Sequence, residues 1–182
     1  MILRNQGIKL DYEAIERTVS DKENLPCRLT PLEERSLPPN VSFVYFDVGH
    51  NPDAILQTLK RVINMHPTTS VSVVYGCKER KDFLGCVHEM DSLPNIDNMY
   101  CVQAKNTPAA VDSQEIYSQS RNSSLLKLSV HRVANGDIKS TMAQAVEDAR
   151  GDSRPRGIVV IGSFTVMRES REYFGICDPR DD

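Results

Sequence analysis

Apolar residues along this chain fall into two alternating kinds of segment. Short, nearly continuous runs at residues 43–48, 71–75 and 157–161 are rich in β-branched and aromatic side chains and read as buried strands. Between them lie stretches with apolar residues three and four apart, the spacing of a helix face. One carries Ile55, Leu59, Val62 and Ile63 and ends before His66-Pro67, and the next carries Phe83, Leu84, Val87, Met90 and Leu93. A third runs from about 109 to 120, a fourth carries Met142, Ala145, Val146 and Ala149 behind Asn135 or Asp137 as a cap, and a last carries Val166, Met167, Ser170 and Phe174. Weaker strands fall at about 98–103 and 126–133. Five rounds of strand and helix predict an α/β fold: a Rossmann-like, doubly wound, mostly parallel sheet with helices on both faces. Upstream, residues 1–25 read as a short helical piece with Ala14, Ile15 and Val19 on one side, broken at Asn24-Leu25-Pro26. Pro31, Pro38 and Pro39 around Glu33-Glu34-Arg35 mark a loop, and the domain boundary is placed there.

Three of the strand-to-helix turns carry chemistry. After residues 43–48 the chain reads Gly49-His50-Asn51-Pro52-Asp53. Gly49 suits a turn, Asn51 an N-cap, Pro52 the first helical position, and Asp53 the positive end of the helix dipole. Asp47, His50 and Asn51 thus stand at a strand's carboxyl end, where open α/β sheets bind ligands. An acid and a cap at such a turn are equally compatible with a purely structural role. After Tyr75 comes Gly76-Cys77-Lys78-Glu79-Arg80-Lys81-Asp82, which places Lys78 and Lys81 at a helix N-terminus. Cations are disfavoured there, so they hint at an anionic ligand. After Ile161 comes Gly162-Ser163; a lone Ser there is expected to cap the helix, while exposed N–H groups beside a hydroxyl also suit a carboxylate. His66 is expected on a surface loop, His88 at or near the surface of a helix, and His131 on a strand in a structural role.

Composition narrows the classes. With 182 residues, 40% of them hydrophobic, the chain can bury a core of its own, and a net charge of −3 with no basic block argues against nucleic-acid binding. No apolar run reaches membrane-spanning length, and the N-terminus lacks a signal-peptide pattern. Five cysteines without C-x-x-C spacing fit neither structural zinc nor a disulfide framework, which favours a reducing, intracellular setting. No metal-ligand set is predicted.

Asp47-Val48-Gly49-His50-Asn51-Pro52-Asp53-Ala54 resembles the D-G-A-H-N-P-x-A motif that opens the C-terminal domain of folylpolyglutamate and dihydrofolate synthases, members of the Mur ligase superfamily. Three further stretches match in order. Leu25-Pro26-Cys27-Arg28-Leu29 is similar to the W-P-G-R-L/F interdomain linker, with Leu for Trp and Cys for Gly. The Lys78–Lys81 turn resembles V-x-G-x-x-x-D-K-D, with Arg80 for the first Asp. Gly162-Ser163 and the charged stretch Arg168, Glu169, Arg171 resemble the V-x-G-S-x-x-x-V-x-E-V-R ending. The resemblance implies residues 1–34 as the end of a central domain plus linker, and 35–182 as the C-terminal glutamate ligase domain. It implies Arg28, Asp47 and Asn51 on the nucleotide side, His50 at the reaction centre, and Lys81, with Lys78 as the alternative, beside Ser163 on the glutamate carboxylate. An arginine common in the family near residues 106–108 is missing, and its role does not transfer.

The implied reaction is ATP-dependent: a folate or dihydropteroate carboxylate is phosphorylated and the amine of L-glutamate attacks the acyl phosphate. The implied setting is the cytoplasm, with a mitochondrial form as an alternative. The sequence contains no G-x-x-x-x-G-K-[ST] loop. In the family that loop and the Mg2+ ligands belong to an N-terminal ATPase domain, the expected partner, so the chain alone is expected to be inactive. The alternatives are a Mur-type amino-acid ligase domain and a non-catalytic Rossmann-like binding module.

Overall fold

The structure is a computed structural model, which describes residues 27–79, 81–105, 109–122, 126–133 and 136–177. The expected N-terminal helix, Leu25 and Pro26 of the linker, Arg80, Asn135 and the 106–108 loop lie outside the described residues.

The chain runs β1 (Thr30–Pro31), β2 (Val41–Asp47), α1 (Pro52–Met65), β3 (Ser70–Gly76), α2 (Phe83–Asp91), β4 (Ile96–Cys101), α3 (Ser113–Asn122), β5 (Ser129–His131), α4 (Ile138–Gly151), β6 (Arg156–Gly162) and α5 (Phe164–Tyr173). The strands form one sheet in the order β1-β2-β6-β3-β4-β5, parallel throughout except for β1, which pairs antiparallel with β2. The predicted fold class is what the chain adopts. β3 and β6 are buried along their whole length, as central strands covered on both faces must be.

Alternation along the strands divides the core. Val71, Val73, Tyr75, Val159 and Ile161 point to the layer that also holds Ile55, Leu59 and Val62 of α1, Cys86 and Met90 of α2 and Ile116 of α3. Val74, Ile158 and Val160 point to the other layer, with Met142 and Ala145 of α4 and Val166 and Met167 of α5. Burying Ile55 and Leu59 contributes about 1.5–3 kcal/mol each. α1 begins as its sequence predicts: the Asn51 side chain accepts from the Ala54 N–H at 2.8 Å, Pro52 is the first helical residue and Asp53 lies in the first turn. Asp137, the alternative to Asn135, caps α4 through the Ser140 N–H at 3.0 Å.

Three expectations change. α3 starts at Ser113 rather than near 109, because residues 109–111 form a small antiparallel ladder with 77–79: Val111 N–H donates to the Cys77 carbonyl at 3.0 Å and Glu79 N–H to the Ala109 carbonyl at 2.8 Å. β5 shrinks to Ser129–His131, since Lys127 and Leu128 donate their N–H groups to Asp91 Oδ1 instead of to a strand. His66 is half-buried and not a plain surface residue. It stacks on Phe43 at 4.0 Å, its Nε2 lies 3.2 Å from the Tyr45 hydroxyl, and burial lowers its pKa. His88 is exposed, and His131 stacks on Tyr100 at 4.8 Å.

Candidate active site

The three informative turns follow β2, β6 and β3, which are adjacent and parallel, so they leave one edge of the sheet side by side. Asp47, Ile161 and Tyr75 lie in one register row, and Gly162 pairs with Gly76 in the next. That row is as tight as backbones allow. Gly162 has φ +137°, and a Cβ on it would lie 1.9 Å from the Gly76 carbonyl oxygen. A Cβ on Gly76 would in turn meet the Val102 carbonyl at 2.7 Å.

At the first turn, Asp47 Oδ1 accepts from the Gly49 N–H at 2.7 Å and Oδ2 from the Leu29 N–H at 2.8 Å. Burial raises the pKa of this carboxyl; those two N–H groups, the Arg28 charge and the Thr58 hydroxyl oppose the rise without reversing it. Gly49 lets the strand end turn with no Cβ in the way, through space and not through its dihedral. Its φ is not positive, and what it supplies is space beside Asp47 Oδ1, which a Cβ would approach to 3.0 Å. His50, half-buried, has Nδ1 3.0 Å from the Val48 carbonyl. A carbonyl only accepts, so Nδ1 carries the hydrogen and donates it, and in the neutral ring Nε2 holds the lone pair. The Asn51 oxygen serves the helix cap. Arg28 is exposed on the short segment leading into β1.

At the second turn Lys78 and Lys81 are both exposed. Lys78 is fixed in its backbone by the bridge to Ala110. Lys81 directly precedes Asp82, whose side chain caps α2 through the Gly85 N–H at 2.8 Å. A Cβ on Gly85 would lie 2.9 Å from Pro52 Cγ, so the first turn of α2 abuts the start of α1. That contact brings the Lys81 turn against the His50-Asn51 turn. At the third, Ser163 occupies the N-cap position of α5, but its hydroxyl makes no capping hydrogen bond, contrary to the structural role expected for it. Phe164 beside it is 62% exposed. His50, Lys81 and Ser163 thus belong to three turns gathered at one edge.

Other polar features lie elsewhere. A cavity of about 500 Å³ opens at the amino ends of β4, β5 and β6, lined by Asp97, Lys127, Arg154 and Arg156 among others. Its two arginines are paired: the buried Arg156 guanidinium reaches Asp152, Asp97 and Ser72, and Arg154 binds Asp97 at 2.9 Å. Among the described residues no group of three or more His, Cys, Asp or Glu is placed to hold a metal ion. Among the same residues no helix is long and apolar enough to cross a membrane.

Sequence reasoning missed the groups that act on Asp47 from a distance. Thr58 sits one helical turn beyond Ala54, and its polar side chain within an otherwise apolar face was the available signal. The Leu29 amide had none. Cys27 explains itself after the fact: its φ is 57°, a conformation glycine adopts freely, and it stands where the resembled linker pattern carries Gly.

The chain superimposes on the bifunctional folylpolyglutamate synthase/dihydrofolate synthase of Yersinia pestis complexed with AMPPNP and Mn, with a TM-score of 0.66 and 21% identity over 96% of this chain and 37% of that one. It superimposes on E. coli FolC complexed with DHPP and ADP at 0.64 and 23% identity, over 95% and 36% of the two chains. A bifunctional synthase with Mn, AMPPNP and L-glutamate bound gives 0.62 and 20%, over 84% and 32%. The chain therefore spans about a third of these proteins, and at such identities they establish the fold. None of the curated protein sequences matches it. The family of the Mur ligase glutamate ligase domain matches residues 28–164, from Arg28 to the start of α5 and across all three turns, and the chain belongs to that family.

Proposed function

We propose that this chain is the C-terminal, glutamate-binding portion of an ATP-dependent folate–glutamate ligase. The observation that carries the reading is the gathering of the His50, Lys81 and Ser163 turns at one edge of β2, β6 and β3, inside the stretch that matches the glutamate ligase domain. The ligands of the similar structures, an ATP analogue with Mn and L-glutamate in one and DHPP with ADP in another, support the same substrates here.

In this reading Lys81, with Lys78 behind it, and the uncapped Ser163 hydroxyl hold the glutamate carboxylate at the N-terminal ends of α2 and α5, where helix N–H groups favour an anion. His50, with Nδ1 donating to Val48, offers Nε2 to the glutamate ammonium and takes the proton that must leave before the amine can attack. Attack on the acyl phosphate forms the amide bond and releases phosphate. Arg28 reaches toward the nucleotide phosphates, with Asp47 and Asn51 on the same side. ATP supplies the activating phosphoryl group, and the divalent cation with most of the phosphate contacts belongs to an N-terminal ATPase domain outside this chain. The protein acts in the cytoplasm, and the chain alone does not complete ligation.

Titration of the pure chain with L-glutamate, followed by amide shifts at residues 76–82 and 162–164, tests the reading. Saturable shifts that disappear in Lys81→Ala and Ser163→Ala support it. Shifts indifferent to both substitutions would sink it, and an ATP-dependent amide product from the chain alone would overturn its assigned inactivity.

A further inference from the structure

We infer that Asp47 is a positioning residue, which latches residues 27–29 onto the end of β2 and acts on bound nucleotide through Arg28. The action on nucleotide rests on the proposed ligase function; the latch does not.

One carboxylate ties together backbone that is 18 residues apart, taking the Leu29 N–H on Oδ2 and the Gly49 N–H on Oδ1. A second tie runs the other way: Val48 N–H donates to the Cys27 carbonyl at 2.9 Å. The residues on both sides of Arg28 are therefore bonded to the same strand end. Both need holding, because Cys27 and Leu29 have φ of 57° and 50°, a region L-residues occupy sparsely unless their surroundings fix it. The buried Arg171 of α5 donates to Cys27 Sγ at 3.8 Å, which fastens the same segment to the helix of the third turn. Arg28, held between two fixed neighbours, is left exposed with its charge felt at Asp47. Asp47 itself is 5% exposed, with one oxygen on each amide and the Thr58 hydroxyl as a further partner, so its carboxylate is engaged within the fold while Arg28 is exposed. A guanidinium placed this way costs less ordering when it meets a phosphate.

Asp47→Asn keeps the shape but replaces one acceptor oxygen with an NH2 group. Hydrogen exchange at the Leu29 amide should quicken about tenfold or more in Asp47→Ala, which leaves no acceptor whichever way the amide of Asp47→Asn turns, and trypsin should cut after Arg28 correspondingly faster. Both rates unchanged would overturn the latch. Should the variant fail to fold, the wild-type chain decides: a scalar coupling across the hydrogen bond from Leu29 15N to Asp47 13Cγ is expected beside the one from Gly49. Seeing only the Gly49 coupling overturns the latch. Acting through Arg28 is read from AMPPNP affinity in Asp47→Asn, Arg28→Ala and the double variant. A loss at Asp47 that vanishes once Arg28 is gone is expected; fully additive losses would mean that Asp47 touches the nucleotide itself, and would overturn the positioning role. No AMPPNP binding by the wild-type chain overturns the action on nucleotide, and the latch then stands or falls on the exchange and the coupling; the functional proposal is read separately, from the glutamate shifts.

Discussion

Gly162 and Gly76 face each other in register across β6 and β3, and the carbonyl oxygen of Gly76 lies 1.9 Å from where a Cβ on Gly162 would sit. The obstacle is the backbone of the neighbouring strand, so no rotamer change removes it, and φ of +137° penalises any side chain independently. Gly162→Ala is expected to cost about 3 kcal/mol or more, or to prevent folding. Gly175→Ala is the control: φ is +74° but nothing lies within 4 Å, so only the conformational cost of about 1–2 kcal/mol remains. Urea denaturation of the two variants measures the difference, and equal losses would refute the close approach as the cause.

Gly49 should behave in the opposite way. A Cβ there comes to 3.0 Å from Asp47 Oδ1 and 3.5 Å from Ala54 Cβ and Ile161 Cδ1, so a movement of a few tenths of an ångström admits it. The reduced freedom of the unfolded chain returns about 0.4–1 kcal/mol. Gly49→Ala should therefore stay within about 1 kcal/mol of wild type in the same denaturation experiment, and a loss as large as that of Gly162→Ala would show that the turn needs glycine's backbone after all.

These two glycines mark how far the sequence could be read. The layered fold and α1 with its Asn51 cap were legible because they follow from local periodicity and capping chemistry. The shared edge of the three turns was legible too, because parallel strands present their carboxyl ends together. Which glycine was conformationally required was not legible, since Gly49 and Gly162 both sit at a strand end and only the neighbouring strand distinguishes them. The start of α3 was misplaced for a related reason: residues 109–111 pair with 77–79, a contact across some thirty positions that no window of the sequence contains. His66 looked like a loop residue beside Pro67, and its partners Phe43 and Tyr45 come from another strand. The ties of Asp47 to Leu29 and of Arg171 to Cys27 are likewise long-range, so the sequence pointed to Asp47 and Arg28 separately and not to their connection.

The five cysteines should divide four to one. Cys27, Cys77, Cys86 and Cys101 are buried, and Cys177 is exposed. Burial pushes the Cys77 thiol up to about 11 and Cys101 up to about 12, and it raises Cys86 as well. A thiol reacts as its thiolate, so near pH 8 these three are both shielded and protonated. One thiol per chain is expected to react rapidly with an aromatic disulfide reagent in the native state, and all five in denaturant. A second fast thiol under native conditions would contradict the burial of the other four.

The Asp47 carboxyl makes stability depend on pH with a definite sign. Burial holds its pKa above the ordinary 3.8, so the folded chain binds this proton more tightly than the unfolded one. The contribution is fully present below 3.8 and is lost as pH rises through the folded value. In Asp47→Asn the group cannot titrate. The stability advantage of wild type over Asp47→Asn should therefore shrink as pH climbs from below 3.8 through the raised native value, then level off. Arg28 opposes the rise, so Arg28→Ala should push the native value higher still and extend the window over which wild-type-like stability is lost. Urea titrations across that range measure all three proteins. A wild-type advantage that grows with pH would mean that the two amides and Arg28 outweigh burial, and that the carboxyl is held below its ordinary value instead.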